Sequence, residues 1–251
     1  MLEVNDLTVS IGGRDIIANI DVSLSEGQWL MVVGPNGAGK STLISAISNG
    51  IEYTGDVKFE GASLRNTKPN ALAKLFGVLM QNHSVGYSFT VDEVVKLGRY
   101  AYSQGIFGSM SDEDDEKIEW ALNATGMIPM RTQSVMTLSG GELQRTFLAQ
   151  LLAQNPKLLL LDEPSNHLDL VYQKQVFELI SEWLKQPGRA VISVVHDLSL
   201  ALAYGSHAIL LNKGKMIASG TVEETFGREN LRNAYDMDVF DWMRQMLDQW
   251  T

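Results

Sequence analysis

Four short runs of apolar character, at residues 29–33, 158–161, 191–195 and 208–211, broken only by Ser193, constrain this chain more than any other feature. A strand with one wet face alternates apolar and polar side chains, whereas a run with no polar side belongs to a strand covered on both faces. Helical patterns separate the runs, which predicts an α/β core on a parallel sheet. The beginning of the chain has a different texture. Leu2, Val4, Leu7, Val9 and Ile11 interleave with polar residues, Gly12 and Gly13 supply a turn, and residues 16–24 alternate again, the pattern of an antiparallel β subdomain.

The pattern changes once more between Gln81 and Leu138. Residues 90–98 are helical in spacing, residues 100–109 are rich in aromatic and small side chains, and residues 111–126 form an acidic helix with Ile118, Ala121, Leu122 and Thr125 on one face. A helical subdomain of roughly residues 82–155, inserted in the core, is expected. The acidic run 112–116 follows Ser111 at a helix start, complements the helix dipole and is expected to be a solvated face. In the tail, residues 222–251, Val239, Trp242, Met243, Met246 and Trp250 recur at helical spacing. Asp238, Asp241 and Asp248 would oppose anionic lipid there, so packing on its own domain or on a protein partner is expected.

Composition removes several classes of function. Twenty basic against thirty acidic residues give a net charge of -10, which argues against broad capture of nucleic acid. The absence of cysteine excludes disulfides, thiolate zinc sites and cysteine nucleophiles, and suits a reducing compartment. Acidic residues stand near the start, where a secretion signal would be basic. The most apolar window, residues 190–211, is interrupted by His196, Asp197, Ser199, Gly205 and Ser206, and fits strand, turn, helix and strand better than a membrane span. His83, His167 and His207 do not form a metal set.

Three segments carry chemistry. Gly34, Pro35, Asn36, Gly37, Ala38, Gly39, Lys40, Ser41 and Thr42 fit the phosphate-loop pattern G-x-x-x-x-G-K-[ST]. The glycines let the backbone turn its amides toward phosphate, the following helix presents its positive end, Lys40 adds charge for the β- and γ-phosphates, Ser41 offers a hydroxyl to magnesium, and Thr42 can add a phosphate contact. Asp162 closes the run of four leucines, where a carboxylate is costly unless it is paired or bound to metal, and Glu163 follows at once. The third segment is Leu138, Ser139, Gly140, Gly141 and Glu142. Ser139 and Glu142 form an S-x-x-E capping box ahead of an apolar stripe at Leu143, Phe147 and Leu151, while the two glycines leave bare amides at a positive helix end. One chain cannot easily close both this anion site and the phosphate loop on one nucleotide.

Taken together and in this order, the three segments resemble the nucleotide-binding subunit of ATP-binding-cassette transporters. The resemblance implies a phosphate-loop NTPase core with a parallel sheet, the β and helical subdomains above, and one cassette spanning residues 1–251. It implies ATP hydrolysis by two copies paired head to tail, residues 138–142 of each acting as the signature that closes on the other's γ-phosphate. Glu163 becomes the general base, His196 the γ-phosphate histidine, and Gln81 the sensor of magnesium and attacking water. Asp169 lies in the subunit-crossing loop, and Ser41, Gln81 and Asp162 ligate magnesium. Ile11 stands where the family usually places an aromatic residue against adenine, which leaves apolar contact in place of stacking.

Two further stretches, residues 89–99 and 229–237, are similar to importers of iron-siderophore, heme and cobalamin complexes, although Ala101 stands where that group often has proline. That likeness implies an integral membrane permease dimer as partner and, indirectly, a substrate-binding protein. It also implies a peripheral position on the cytoplasmic face of a prokaryotic cell membrane, with Gln81 and residues 85–102 as docking surface. A cytosolic cassette ATPase acting as an assembly or regulatory factor is the alternative. A small-molecule kinase would leave the signature without a role.

Overall fold

The computed structural model describes residues 1–81, 88–102, 110–166 and 168–250; His83, His167, residues 85–87 of the docking segment and residues 103–109 of the aromatic stretch lie outside the described residues. In chain order the elements are β1 (Leu2–Ile11), β2 (Arg14–Leu24), β3 (Trp29–Val33), α1 (Lys40–Ile47), β4 (Thr54–Phe59), β5 (Ala62–Ser63), α2 (Pro69–Leu75), β6 (Phe76–Leu79), α3 (Val91–Leu97) and α4 (Asp112–Ala124). They continue with α5 (Gly140–Gln154), β7 (Leu158–Asp162), α6 (Leu170–Leu184), β8 (Ala190–Val194), α7 (Leu198–Tyr204), β9 (His207–Asn212), β10 (Lys215–Thr221), α8 (Val222–Thr225), α9 (Arg228–Tyr235) and α10 (Val239–Leu247). Two compact units result, residues 1–66 with 192–251, and residues 67–191.

In the first unit an antiparallel sheet has the order β2-β1-β4-β5. Its register sets Leu2 against Leu24, Val4 against Val22 and Val9 against Ile17, so the alternating apolar residues share one buried face. The β1–β2 turn holds Gly12 at φ 58° and Gly13 at φ 77°, a conformation whose twist matches a tight hairpin and which side chains with a Cβ disfavour. In the same unit β9 runs parallel to β3 and antiparallel to β10. The Val195 amide donates to the Val32 carbonyl at 3.3 Å, bringing the end of β8 to β3. Beneath them the buried Trp29 indole donates to Ser193 Oγ at 2.9 Å, which satisfies the one polar atom of a large core side chain.

The second unit pairs β6 with β7 in parallel, and Ala190 at the start of β8 donates to the Lys157 carbonyl at 3.0 Å. Strand β6 begins at Phe76, which itself caps α2 and passes straight into register with Leu158. Helices α3, α4 and α5 pack on one another as the helical pattern predicts. Gly98, ending α3, permits this closely, since a Cβ there would collide with the Gln150 carbonyl of α5. The buried face of α5 is Leu148, Leu151 and Leu152 with Thr146 and Ala149; Leu143 and Phe147, expected in the stripe, are only half-buried.

The acidic start of α4 also departs from expectation at one residue. Asp112, Glu113, Asp115 and Glu116 are exposed, but Asp114 is buried. It closes a capping box with Ser111 and accepts a 2.6 Å hydrogen bond from Arg99 Nε, while Arg99 Nη1 donates to the Ala153 carbonyl of α5 at 3.0 Å. Arg99 therefore ties three helices of this unit together.

The tail forms α8, α9 and α10, and Val222, Leu231 and Ala234 of the first two, with Phe226 between them, are buried against their own domain. Of the apolar stripe on the last helix only Val239 is buried, with Trp242 49% exposed and Trp250 89%, so α10 itself packs only by its first turn. Arg228 fastens that turn, with Nη2 2.7 Å from carboxylate oxygens of both Asp238 and Asp241. Among the described residues no helix is long and apolar enough to cross a membrane.

Burial opposes ionisation of Asp114, but the Ser111 amide and Arg99 outweigh it and hold its pKa below the usual carboxylate range. The stability it contributes is therefore present above the unfolded carboxylate's value near about 4 and is lost as pH falls through the depressed value. Asp114→Ala strands the buried Arg99 and is expected to cost about 3 kcal/mol in urea unfolding at pH 7. The difference from the parent chain should shrink below pH 4; a pH-independent difference would mean that the carboxylate's charge is not what matters.

Candidate functional site

In the first unit the chain leaves β3 at Val33 and enters the phosphate loop through Gly34 at φ 148°. The loop returns through Gly37 at φ 75° and Gly39 at φ 97° before α1 begins at Lys40. Gly39 caps α1 without any side-chain hydrogen bond, so the first-turn amides are available to an anion. A Cβ on Gly34 would strike the Leu211 carbonyl of β9, and one on Gly39 would strike the Ile17 side chain of β2. Lys40 is buried and curls back, donating from Nζ to the carbonyls of Gly34 at 2.8 Å and Pro35 at 3.0 Å.

Residues without a recognisable motif brace this loop. The Gly214 amide, in the β9–β10 turn, donates to the Ala38 carbonyl at 3.2 Å, and the Gly214 carbonyl accepts from Ala18 of β2 at 2.9 Å. Gly214 itself has φ 76°. Tyr235, closing α9, meets the Gly34 backbone; burial pushes its phenol pKa up, and the Gly34 contact acts in the opposite sense. Ile11 is 60% exposed at the end of β1, opposite Arg14. His196 follows Val195 and is exposed, and Asp197 caps α7 by accepting from the Ser199 amide at 2.7 Å.

The second unit holds Gln81, Asp162, Glu163, Asp169 and residues 138–142. Asp162 is the last residue of the fully buried β7 and is 1% exposed. Glu163 has φ 55°, a left-handed conformation that costs a non-glycine residue about 1–2 kcal/mol. Asn166 supports it twice, its amide donating to the Glu163 carbonyl at 3.1 Å and its Nδ2 to Glu163 Oε2 at 3.2 Å. Gln81 is exposed just beyond β6, and Asp169 caps α6 by accepting from the Tyr172 amide at 3.0 Å.

Ser139 caps α5 in the capping box expected there. Glu142 Oε2 accepts from both the amide and the hydroxyl of Ser139 at 2.8 Å, while the Ser139 hydroxyl faces the Glu142 amide at 3.4 Å. The Ser139 amide, and after it the hydroxyl, hold the Glu142 carboxyl below its usual pKa. Gly140 and Gly141 then open the helix without side chains. Gln144, on the next turn, donates from Nε2 to the Pro164 carbonyl at 3.2 Å, and the Arg145 guanidinium lies 4.1 Å from the centre of the Tyr172 ring. Neither contact is foreshadowed by sequence spacing.

Residues 17–166 match the protein family described as ABC transporter. The chain belongs to that family. It is 34% identical to the iron(3+)-hydroxamate import ATP-binding protein FhuC of Bacillus subtilis over 95% of this chain and 88% of that protein. It is 36% identical to the ferric enterobactin transport ATP-binding protein FepC of Escherichia coli, over 94% and 87% of the two chains. With the hemin import ATP-binding protein HmuV of Streptomyces coelicolor the identity is 38%, over 93% and 82%. Among solved structures, the dimeric ATP-binding cassette MJ0796 bound to ADP and Pi superposes with a TM-score of 0.77 at 25% identity, covering 88% of this chain and 99% of that one. The fold is that of a phosphate-loop NTPase cassette, and the family binds nucleotide.

The two loop glycines differ in a testable way. Both have positive φ, but a Cβ on Gly37 meets nothing within 4 Å, whereas one on Gly39 collides with Ile17. Gly39→Ala is expected to weaken binding of a fluorescent ATP analogue by roughly tenfold or more, and Gly37→Ala by clearly less, from backbone strain alone. Equal losses would show that space at Gly39 is not limiting.

Proposed function

We propose that this chain is the ATP-hydrolysing subunit of an importer of metal-chelate or corrinoid nutrients, in the class of iron-siderophore, heme or cobalamin complexes. Two copies of this single cassette would work head to tail on the cytoplasmic side of an integral membrane permease dimer, served by a substrate-binding protein. The observation that carries this reading is the near full-length likeness to import ATP-binding proteins for ferric chelates and hemin.

In the proposed cycle the amides of residues 37–42 and the Lys40 ammonium hold the β- and γ-phosphates, with Thr42 adding a contact and His196 reaching the γ-phosphate. Ile11 offers apolar contact to the base. Ser41, Gln81 and Asp162 are the proposed magnesium donors, and all are hard oxygen ligands suited to that ion. When bound, magnesium neutralises charge on the β- and γ-phosphates. Glu163 orients the attacking water and takes its proton at the carboxylate. Ser139, Gly140 and Gly141 of the partner copy close on the γ-phosphate, with Leu138 and Glu142 shaping that helix end and Asp169 at the crossing loop. Phe89, Leu97 and Tyr100, all exposed, supply apolar surface for the permease on the described part of residues 85–102.

Glu163→Gln is expected to retain ATP binding while slowing hydrolysis by roughly two or more powers of ten. With ATP and magnesium the variant should elute as a dimer in size-exclusion chromatography; a monomer that still binds ATP would break the paired-site reading. The importer assignment is tested with a deletion strain grown on siderophore-iron, heme or cobalamin as limiting supply, together with a pull-down from membranes. Loss of uptake of one of the three and recovery of a multi-span partner are expected. Normal uptake of all three with no membrane partner would instead favour a cytosolic ATPase.

A further inference from the structure

Helix α5 begins at the signature and holds both ends of the loop that carries Glu163. At one end Gln144 Nε2 donates to the carbonyl of Pro164, the residue after Glu163, at 3.2 Å. At the other, Arg145 lies 4.1 Å from the centre of the ring of Tyr172, whose amide is bonded by Asp169. The loop start is a segment where position needs support, because Glu163 holds φ 55°; Asn166 gives part of it, donating from Nδ2 to Glu163 Oε2 at 3.2 Å. The Pro164 carbonyl lies in the next peptide, between Pro164 and Ser165, and because the proline ring fixes φ at 164, anchoring that carbonyl limits how the Glu163 backbone can turn.

We propose that Gln144 is a positioning residue for Glu163, through which the signature helix of a chain aims that same chain's glutamate. The proposal rests on the head-to-tail reading above, in which residues 138–142 close on the partner's nucleotide. Under it, Ser139, Gly140 and Gly141 engage one nucleotide while Gln144, on the next turn of the same helix, sets the base that acts on the other. A shift of α5 on engaging phosphate changes the Gln144 to Pro164 hydrogen bond and with it the aim of Glu163. The two hydrolytic sites of a dimer are thereby coupled inside each chain, without a direct contact between the nucleotides.

The test separates this role from a structural role in the signature helix, because the two act on opposite sites. Heterodimers are purified with two different affinity tags, one chain carrying Glu163→Gln, so that only the other chain's glutamate supports hydrolysis. Gln144→Ala placed on the chain with the intact Glu163 is expected to lower kcat by about tenfold, the scale of one neutral hydrogen bond, with KM for ATP unchanged. Gln144→Glu, which keeps the shape but lacks the donor, should match it. The same substitutions on the Glu163→Gln chain, whose signature completes the only hydrolysing site, should leave kcat within about twofold. A loss only in that second arrangement, or a rise in KM in place of a fall in kcat, overturns the proposal and assigns Gln144 to the signature. No loss in either arrangement also overturns it. Melting temperatures confirm that the variants fold. A Glu163→Gln homodimer that hydrolyses ATP at the parental rate would overturn the assignment of the base, and the inference with it, in a way that the Gln144 arms do not imitate.

Discussion

The first unit is organised around the closeness with which backbone meets backbone at the phosphate loop. Gly34 lies against the Leu211 carbonyl, Gly39 against Ile17, and Gly214 bridges Ala38 and Ala18 by hydrogen bonds. None of these approaches leaves room for a side chain, so the loop is clamped by β2 on one side and by the β9–β10 turn on the other. The clamp matters because amides that are already aimed need no ordering when phosphate arrives, and little of the binding energy is lost to reorganisation. The buried strands β3 and β9, with Trp29 anchored on Ser193, serve as the rigid floor from which the loop rises.

Two helix starts on this chain are built to opposite specifications. Helix α1 has a glycine cap and no side-chain bond, so its positive end is answered chiefly by what binds there. Helix α5 carries its own anion, since Glu142 is already bonded to Ser139. A phosphate approaching α5 must compete with that carboxylate for the hydroxyl and must face its charge. The first terminus suits tenacious binding and the second suits conditional binding, which is the division of labour expected when one half of a site is permanent and the other half forms only on closure.

Much of this was legible in advance for identifiable reasons. Strands buried on both faces betray themselves by nearly continuous apolar runs, and all four predicted runs coincide with buried strands, only Val195 lying one residue beyond β8. The capping box at Ser139 and the glycine pattern of residues 34–39 are local codes, read without knowing what packs nearby. What escaped depends on partners distant in sequence. Asp114 looked like one more solvated acid because Arg99, fifteen residues away, neutralises it. Gly214 bonds through its own amide and carbonyl and the Gln144 side chain bonds a backbone carbonyl, so in each case the partner's residue type gives no sign of the contact. The bare apolar face of α10 was visible as spacing, but spacing cannot say whether anything in the same chain covers it.

The left-handed backbone at Glu163 has a consequence for how such a chain can diverge. At that position the fold favours glycine or asparagine, which adopt positive φ at little cost, while an acid is kept there against conformational preference. In a duplicated gene whose product no longer needed the base proposed at Glu163, nothing would oppose drift toward the easier residue. The glutamate should then be among the first site residues to vanish, while the braced glycines, on which the architecture of the loop depends, persist. A lineage of this kind would leave nucleotide-binding folds that bind and clamp but no longer turn over.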